Sequence, residues 1–365
     1  MSDFDYIVVG GGIIGMMTAR ELDIQGARVA IFEHKTLGME TSWAAGGILS
    51  SMRPWAESFD SMVLSEHGKA LYPYYLELLK QETEIDSEYI QSGLIIIDEA
   101  HSSKIKNWAS NGNIALIEDK KNISCGISLP KHSVLLPDIA QLRPPRLLKA
   151  LSKSLKQSSV SIYENTKITN LVTKNNRFQF VEFTGGKVSA DAVIITAGVW
   201  SQSLVSNLSK DISVKPIRGQ MLCVKADEII IDKMILDGAH YLIPRKDGHI
   251  LIGSTMEDVG FNNETTKSAR QELLDWAYSI SPVFSKAKPV SHWSGLRPQS
   301  ITGKPFIGKM PSFKNIYINA GHFRKGILQA PASAKLIVDC VFGKTSFMDI
   351  ENFNMEGFKK TLEFS

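Results

Sequence analysis

The sequence predicts a mixed α/β (α+β) fold in which a parallel-stranded domain, assembled from both ends of the chain, is interleaved with an antiparallel β-rich domain. Three observations lead there. Residues 5–24 hold a short apolar strand that runs through a glycine-rich turn into a helix. The middle of the chain is dense in short strand-like runs, first over 160–196 and again over 217–255. The chain then returns to short strands and one long helix of small and apolar residues, 327–342. This alternation, with no repeat and no low-complexity linker, implies that the chain leaves the first domain and returns to it twice.

The first element is the most informative. Residues 5–9, Asp-Tyr-Ile-Val-Val, read as a buried strand of β-branched and aromatic residues. Gly10, Gly12 and Gly15 follow in the G-x-G-x-x-G spacing. Gly10 permits the tight turn, Gly12 lets backbone approach a pyrophosphate, and Gly15 lets helix and strand pack closely. The helix carries Met16, Met17, Ala19, Leu22 and Ile24 as its apolar positions and ends at Gly26. A second strand, 28–32, ends at Glu33, placed to bind a ribose hydroxyl pair. The helix N-terminus offers free N–H groups and a positive dipole end to phosphates. A carboxylate at Glu33 disfavours a 2′-phosphate, so the expected dinucleotide is FAD or NAD and not NADP.

Residues 44–47, Ala-Ala-Gly-Gly, form a small-residue run that could lie against a flat ring or a diphosphate, or simply pack closely. Residues 61–83 read as a long amphipathic helix and 93–97 as a buried strand. Residues 100–132 are polar and mixed and yield no element. Pro144-Pro145 opens a helix to about 156. Strands are expected at 160–163, 167–172, 178–183 and 192–196, with Gly185-Gly186 as a hairpin turn. The second block gives 220–224, 241–244 and 250–253, then a helix at 267–280 and a strand at 290–296. Short strands at 305–308 and 316–319 precede the final helix. The expected boundaries are 1–60, 140–215 and 299–365 for the nucleotide domain, and 61–139 and 216–298 for the substrate domain.

Composition narrows the function classes. The chain has 365 residues, a net charge of +3 and 43% hydrophobic residues. That length allows one large or two medium domains, and the near-neutral balance gives no electrostatic case for nucleic acid. Cys125, Cys223 and Cys340 are widely spaced and suggest neither a disulfide framework nor a metal cluster, so no metal is expected. The N-terminal apolar stretch is strand-length and broken by glycines, unlike a signal peptide or membrane span. The expected location is the cytoplasm.

Three later segments carry chemistry. Arg297, in Gly-Leu-Arg-Pro at the end of a strand, suits planar, bidentate recognition of a carboxylate, or a structural ion pair. Tyr241 begins a strand in the same block; its hydroxyl could bond the same carboxylate, or its ring could serve the core. Residues 321–327, Gly-His-Phe-Arg-Lys-Gly-Ile, open the last helix with two glycines around a loop. Such a loop and helix terminus could place partial positive charge beside a flavin edge that turns negative on reduction, or only cap the helix. No Ser-His-Asp constellation, H-E-x-x-H or C-x-x-C stands out. Amine oxidation at a flavin needs no protein base if the amine binds deprotonated; the protein must fix the Cα–H and exclude water.

Taken together, residues 9–15, 41–47, 196–201, 295–298 and 321–328 resemble the FAD-dependent D-amino acid oxidase superfamily, in family order over essentially the whole chain. The Gly-His-Phe-Arg segment points to its bacterial glycine oxidase branch, associated with thiamine biosynthesis. The resemblance implies a D-amino acid oxidase-like fold, with a Rossmann-type FAD domain and a β-rich substrate domain. It implies FAD contacts at Gly10, Gly12, Ile13, Ile14, Gly15, Glu33, His34, Thr41, Ser42, Gly46, Gly47, Ile48, Ile168 and Gly198. It also implies that His322, Phe323, Arg324, Lys325, Gly326, Ile327 and Leu328 wrap the flavin ring. Arg297 would clamp the substrate carboxylate with help from Tyr241, Arg324 would sit near substrate and ring, and Met256 would line the pocket.

The family usually has asparagine where this chain has Lys325, and an extra cation there would raise the flavin potential or alter oxygen reactivity. Related sarcosine oxidases attach FAD through a cysteine; the nearest candidate, Cys340, lies within the final helix, so the FAD is expected to be non-covalent. The implied reaction is oxidative deamination of glycine or another small amino acid. Hydride would pass to FAD, molecular oxygen would give hydrogen peroxide, and the imine would hydrolyse to glyoxylate and ammonia or feed thiamine synthesis. The alternatives are a D-amino acid dehydrogenase with a quinone acceptor and a non-catalytic flavin-binding subunit. The resemblance also implies a homotetramer.

Overall fold

The computed structural model describes residues 2–51, 53–97, 101–112, 114–119 and 123–354. Residues 355–365 of the third expected nucleotide-domain segment therefore lie outside the described residues. In chain order, β1 (Phe4–Val9), α1 (Ile13–Ile24) and β2 (Val29–Phe32) are followed by α2 (Phe59–Thr83), β3 (Leu94–Ile96), α3 (Ser102–Asn111), β4 (Val134–Leu136) and α4 (Pro144–Gln157). Next come β5 (Ser161–Tyr163), β6 (Ile168–Lys174), β7 (Arg177–Phe183), β8 (Gly186–Ile195) and α5 (Ser201–Val205). The second half contains β9 (Val214–Lys225), β10 (Met234–Asp237), β11 (His240–Pro244), β12 (His249–Gly253), α6 (Lys267–Ile280) and β13 (Lys288–Ser300). It closes with β14 (Phe306–Lys309), β15 (Ile316–Ala320) and α7 (Gly326–Val341).

These strands form two sheets. The first runs β14-β15-β8-β1-β2-β5, with β6 and β7 attached through β8. β1 pairs in parallel with both β2 and β8, and β15 in parallel with β8. Ile7, Val8 and Val9 are all buried, as a strand covered on both faces requires. Val8, Ile31 and Ile194 pack with Met16, Leu22, Leu151, Tyr72 and Ile337 of four helices. Ile7, Ala30 and Val193 face the other way, with Leu171 and Phe178 of the β6–β7 hairpin. The second sheet runs β13-β9-β12-β11-β10-β3-β4. Leu222, Val224, Ile250 and Ile252 meet Leu273 and Ala277 of α6 on one face. Met221, Cys223, Tyr241 and Ile243 occupy the other.

The structure adds what periodicity did not supply. β8 is a ten-residue strand, so 192–196 is only its end; its first part pairs antiparallel with β7 across the Gly185 turn, where φ is +113°. α3 falls within the stretch that yielded no element. Among its described side chains it buries only Ile105 and Ala109, an i,i+4 pair too sparse to register as a stripe. β9 and β13 extend beyond the expected 220–224 and 290–296, taking in Gly219 and Arg297, and pair from Val214↔Ser300 to Lys225↔Lys288. Among the described residues, no helix is long and apolar enough to cross a membrane.

Candidate active site

A cavity of about 780 Å3 draws its walls from both sheets and from the N-terminal ends of α1 and α7. At the α1 end, Gly10 has φ +112° and a Cβ there would come within 2.6 Å of the Thr196 carbonyl oxygen. A Cβ on Gly15 would lie 1.8 Å from the Gly10 oxygen, so Gly15 serves helix–strand packing and is not among the cavity-lining residues. The Thr196 hydroxyl, at the end of β8, donates toward the Val9 and Gly10 carbonyls and fixes the turn. Gly12 is the N-cap and supplies no side-chain cap, and no acidic residue lies in the first turn. Only Ile13 N–H finds a side chain, donating to Ser42 Oγ at 3.0 Å. An uncapped helix start opening on a cavity is an anion site, which fits the pyrophosphate of a dinucleotide.

Glu33 ends β2 beside this turn. It is 6% exposed, and its carboxylate accepts from Gly11 N–H at 2.7 Å and Lys35 N–H at 2.9 Å. The His34 ring lies 2.8 Å from the same carboxylate. Gly10, Gly12, Ile13, Ile14, Glu33 and His34 all line the cavity, as do Ile168 at the start of β6 and Gly198, whose φ is +52°.

The small-residue run is wedged between the cavity and the second sheet. Thr41, Ser42, Gly46, Gly47 and Ile48 line the cavity. The Thr41 hydroxyl is used within the protein, donating to the Leu296 carbonyl at 2.7 Å. Trp293 Nε1 donates to the Ala44 carbonyl at 3.2 Å, and a Cβ on Gly295 would meet the Ala44 Cβ at 2.6 Å. Ala44 and Gly46 must be small because β13 and β11 press on them, and Gly47 because Leu142 and Pro144 do.

Arg297 reaches the cavity from β13. Its guanidinium donates to the Ser254 hydroxyl at 2.8 Å and the Thr255 carbonyl at 3.1 Å, both neutral. It lies flat across β9, where a Cβ on Gly219 would fall 2.0 Å from Nη2. Tyr241 stands directly across from Gly253 on β12, and a Cβ there would come 2.6 Å from the ring. The Tyr241 hydroxyl is near the Met221 sulfur at 3.5 Å, a weak acceptor that leaves it able to donate elsewhere. Arg324 lines the same cavity. Burial, and then the charge of Arg297, push its pKa down to about 10; burial likewise lowers that of Arg297. Two guanidinium groups that repel each other across a cavity favour a carboxylate between them.

The loop before α7 is the third wall. Phe323 has φ +51°, a left-handed conformation that costs a bulky residue about 1–2 kcal/mol and must be held by its surroundings. His322 is 2% exposed, and its Nε2 lies 2.8 Å from Ser333 Oγ. Ser333 Oγ donates to Asn319 Oδ1 at 2.6 Å, so the proton of that first bond belongs to His322. Burial, with the Lys325 charge, pushes its pKa down to about 3, so His322 is neutral. α7 begins with no side-chain cap and no acid in its first turn, while Arg324 and Lys325 precede it. Cations at a helix N-terminus are unfavourable unless an anion sits there as well.

His322, Phe323, Arg324, Gly326 and Ile327 line the cavity. Lys325 does not: its Nζ bonds Ser61 Oγ at 2.6 Å and pairs with Glu57 at 3.1 Å, so its charge is compensated away from the wall. Leu328 belongs to the helical core, and Met256 is 60% exposed and is not among the lining residues. The sequence reading missed Gly219, Gly253 and Arg245, together with Trp200, Leu204 and Phe261 of the cavity wall. The glycines are visible only through the β9–β13 and β11–β12 registers. Trp200 and Leu204 follow the small residues at the end of β8, which was a usable signal.

A family model described as FAD dependent oxidoreductase (DAO) matches residues 5–340. The glycine oxidase of Pseudomonas aeruginosa is 36% identical over 349 residues, covering 94% of this chain and 96% of its own. The solved glycine oxidase of Geobacillus kaustophilus has a TM-score of 0.91 at 27% identity, covering 97% of this chain and 99% of that one. The bifunctional protein ThiO/ThiG of Trichormus variabilis is 26% identical over 98% of this chain, which accounts for 55% of that longer protein.

Proposed function

The chain belongs to the DAO family of FAD-dependent oxidoreductases, and from that premise we propose that it catalyses oxidative deamination of glycine or another small amino acid. The feature that supports this reading best is the meeting of Arg297, Arg324 and Tyr241 in the cavity that α1 and α7 open onto. The uncapped α1 start, Gly12 and Glu33 suit the dinucleotide end, and the α7 start suits the electron-accepting end.

FAD, when bound, supplies a hydride acceptor that passes its electrons on to molecular oxygen, giving hydrogen peroxide. The residues of the chain bind and orient. Arg297 takes the substrate carboxylate through its forked N–H groups, Tyr241 donates a further hydrogen bond, and Arg324 adds positive charge. Holding the carboxylate at these points fixes the direction of Cα. The residues closing the cavity keep water from the reacting carbon. Neutral His322 is anchored to Ser333 and holds the loop rather than acting as a base. The imine product hydrolyses to glyoxylate and ammonia.

The protein would hold FAD non-covalently and work in the cytoplasm. Likeness to the bifunctional protein supports service to thiamine synthesis, and a homotetramer is the assembly that the family resemblance implies.

The test is anaerobic addition of glycine, sarcosine or D-alanine to the purified yellow protein, followed by air. Bleaching by glycine, with rapid recolouring and peroxide, is expected. Slow recolouring would replace oxygen with a quinone-type acceptor. Absence of bleaching by all three would sink the reading. Arg297→Ala should raise the glycine KM at least about 30-fold, the equivalent of about 2 kcal/mol for a lost buried charge partner.

A further inference from the structure

Arg245 follows β11 immediately and is 5% exposed. It stands behind the cavity wall and is not among the residues lining it. Nη1 donates to Gln141 Oε1 at 2.8 Å and to the Leu142 carbonyl at 2.9 Å, and Nη2 donates to the Gly46 carbonyl at 2.7 Å. Burial, followed by the charge of Arg143, pushes its pKa down to about 10, so it stays protonated at neutral pH. A cation this deep is ordinarily matched by a carboxylate; here all three acceptors are neutral oxygens.

What Arg245 grips is a part of the wall with no room for a side chain. Gly46 lines the cavity, and a Cβ on it would meet Ile243 at 2.8 Å and the Tyr241 ring at 3.4 Å. Gly47 has φ +81°, and a Cβ there would lie 2.1 Å from the Leu142 carbonyl oxygen. Leu142 N–H in turn donates to the Gly47 carbonyl at 2.9 Å. Two successive glycines have no side chains with which to hold themselves, so their position is set from outside. Arg245 and Leu142 supply that hold, and Arg245 directly follows the strand that carries Tyr241.

We propose that Arg245 is a positioning residue, whose forked guanidinium fixes the Gly46–Gly47 backbone relative to β11 and so sets the wall against which FAD sits at the correct separation from Tyr241 and Arg297. A lysine would keep the charge but lose the fork, because one ammonium cannot satisfy three oxygens in a plane. Arg245→Lys and Arg245→Met should each weaken FAD binding about tenfold, equivalent to about 1.4 kcal/mol, as read by fluorescence titration of the apoprotein. The kcat for glycine should fall with a much smaller change in KM, because the carboxylate clamp is untouched. Gln141→Ala, which removes one acceptor, should move FAD affinity in the same direction and keeps the test open if the methionine variant fails to fold.

The kcat measurement rests on the glycine reading above; the FAD titration does not. If glycine fails to reduce even the wild-type protein, that reading falls while the titration still decides the role of Arg245. Wild-type FAD affinity and turnover in the lysine variant, with only a lowered melting temperature, would show that Arg245 merely stabilises the fold and would overturn the proposal.

Discussion

Arg297 owes its place to a residue that does nothing chemical. Gly219 sits on β9 under the guanidinium, and a Cβ there would lie 2.0 Å from Nη2 and 2.2 Å from Cζ. The obstacle is the far end of a flexible side chain, so Gly219→Ala can be absorbed by swinging Arg297 aside rather than by breaking the sheet. The expected result is a nearly unchanged melting temperature with a clearly raised glycine KM, read by thermal unfolding alongside steady-state kinetics. An unchanged KM would mean that the clamp tolerates displacement. Gly253 beneath Tyr241 repeats the arrangement on β12. Neither glycine carries a signature in one dimension, because each is required by what lies across the sheet.

At the scale of elements, α7 shows how a helix can be positioned by what it lacks. Pro331 lies inside it and has no N–H, so the Ile327 carbonyl one turn earlier has no partner within the helix. Tyr72, fully buried on α2, donates its hydroxyl to that carbonyl instead. Gly68, one turn earlier on α2, allows the approach, since a Cβ there would come 2.3 Å from the Leu328 carbonyl oxygen. Ile327 lines the cavity, so this contact places the α7 end of the site. Tyr72→Phe leaves a buried carbonyl unpaired and should cost about 1–3 kcal/mol in urea unfolding. A loss near zero would mean that another donor reaches Ile327. The first helix was legible from its apolar stripe and the second from its small and apolar residues, but their contact was not, because only a neighbour shows how a proline inside a helix is accommodated.

For the whole molecule, the buried neutral His322 links stability to pH. Its folded pKa is about 3, against about 6.5 when unfolded. Between those values the unfolded chain binds the extra proton, so stability rises with pH. The contribution is fully present above about 6.5 and is lost, at up to about 1.4 kcal/mol per pH unit, as pH falls toward 3. His322→Gln keeps a donor for Ser333 and removes the titration. Its unfolding free energy should therefore depend less steeply on pH between 5 and 7 than that of the wild type. Equal slopes would show that His322 is protonated in the folded protein.

The sequence by itself determined the local, repetitive and contiguous features. The strand, Gly10, Gly12 and Gly15, the helix and Glu33 lie within one βαβ unit, where backbone sterics and phosphate geometry act over neighbouring residues. The loop before α7 was likewise visible from its bracketing glycines and its basic pair. Only the tertiary structure decided which charges count. Lys325 looked like a cation beside the cofactor, but it turns to Glu57, more than 250 positions away in the chain. Arg245 looked unremarkable and proved to be a buried cation gripping Gly46, across a comparable separation. Charge pairing and close approach depend on distance in space, and where the strands of two sheets alternate along the chain that distance is set by sheet register and topology, which no local pattern encodes.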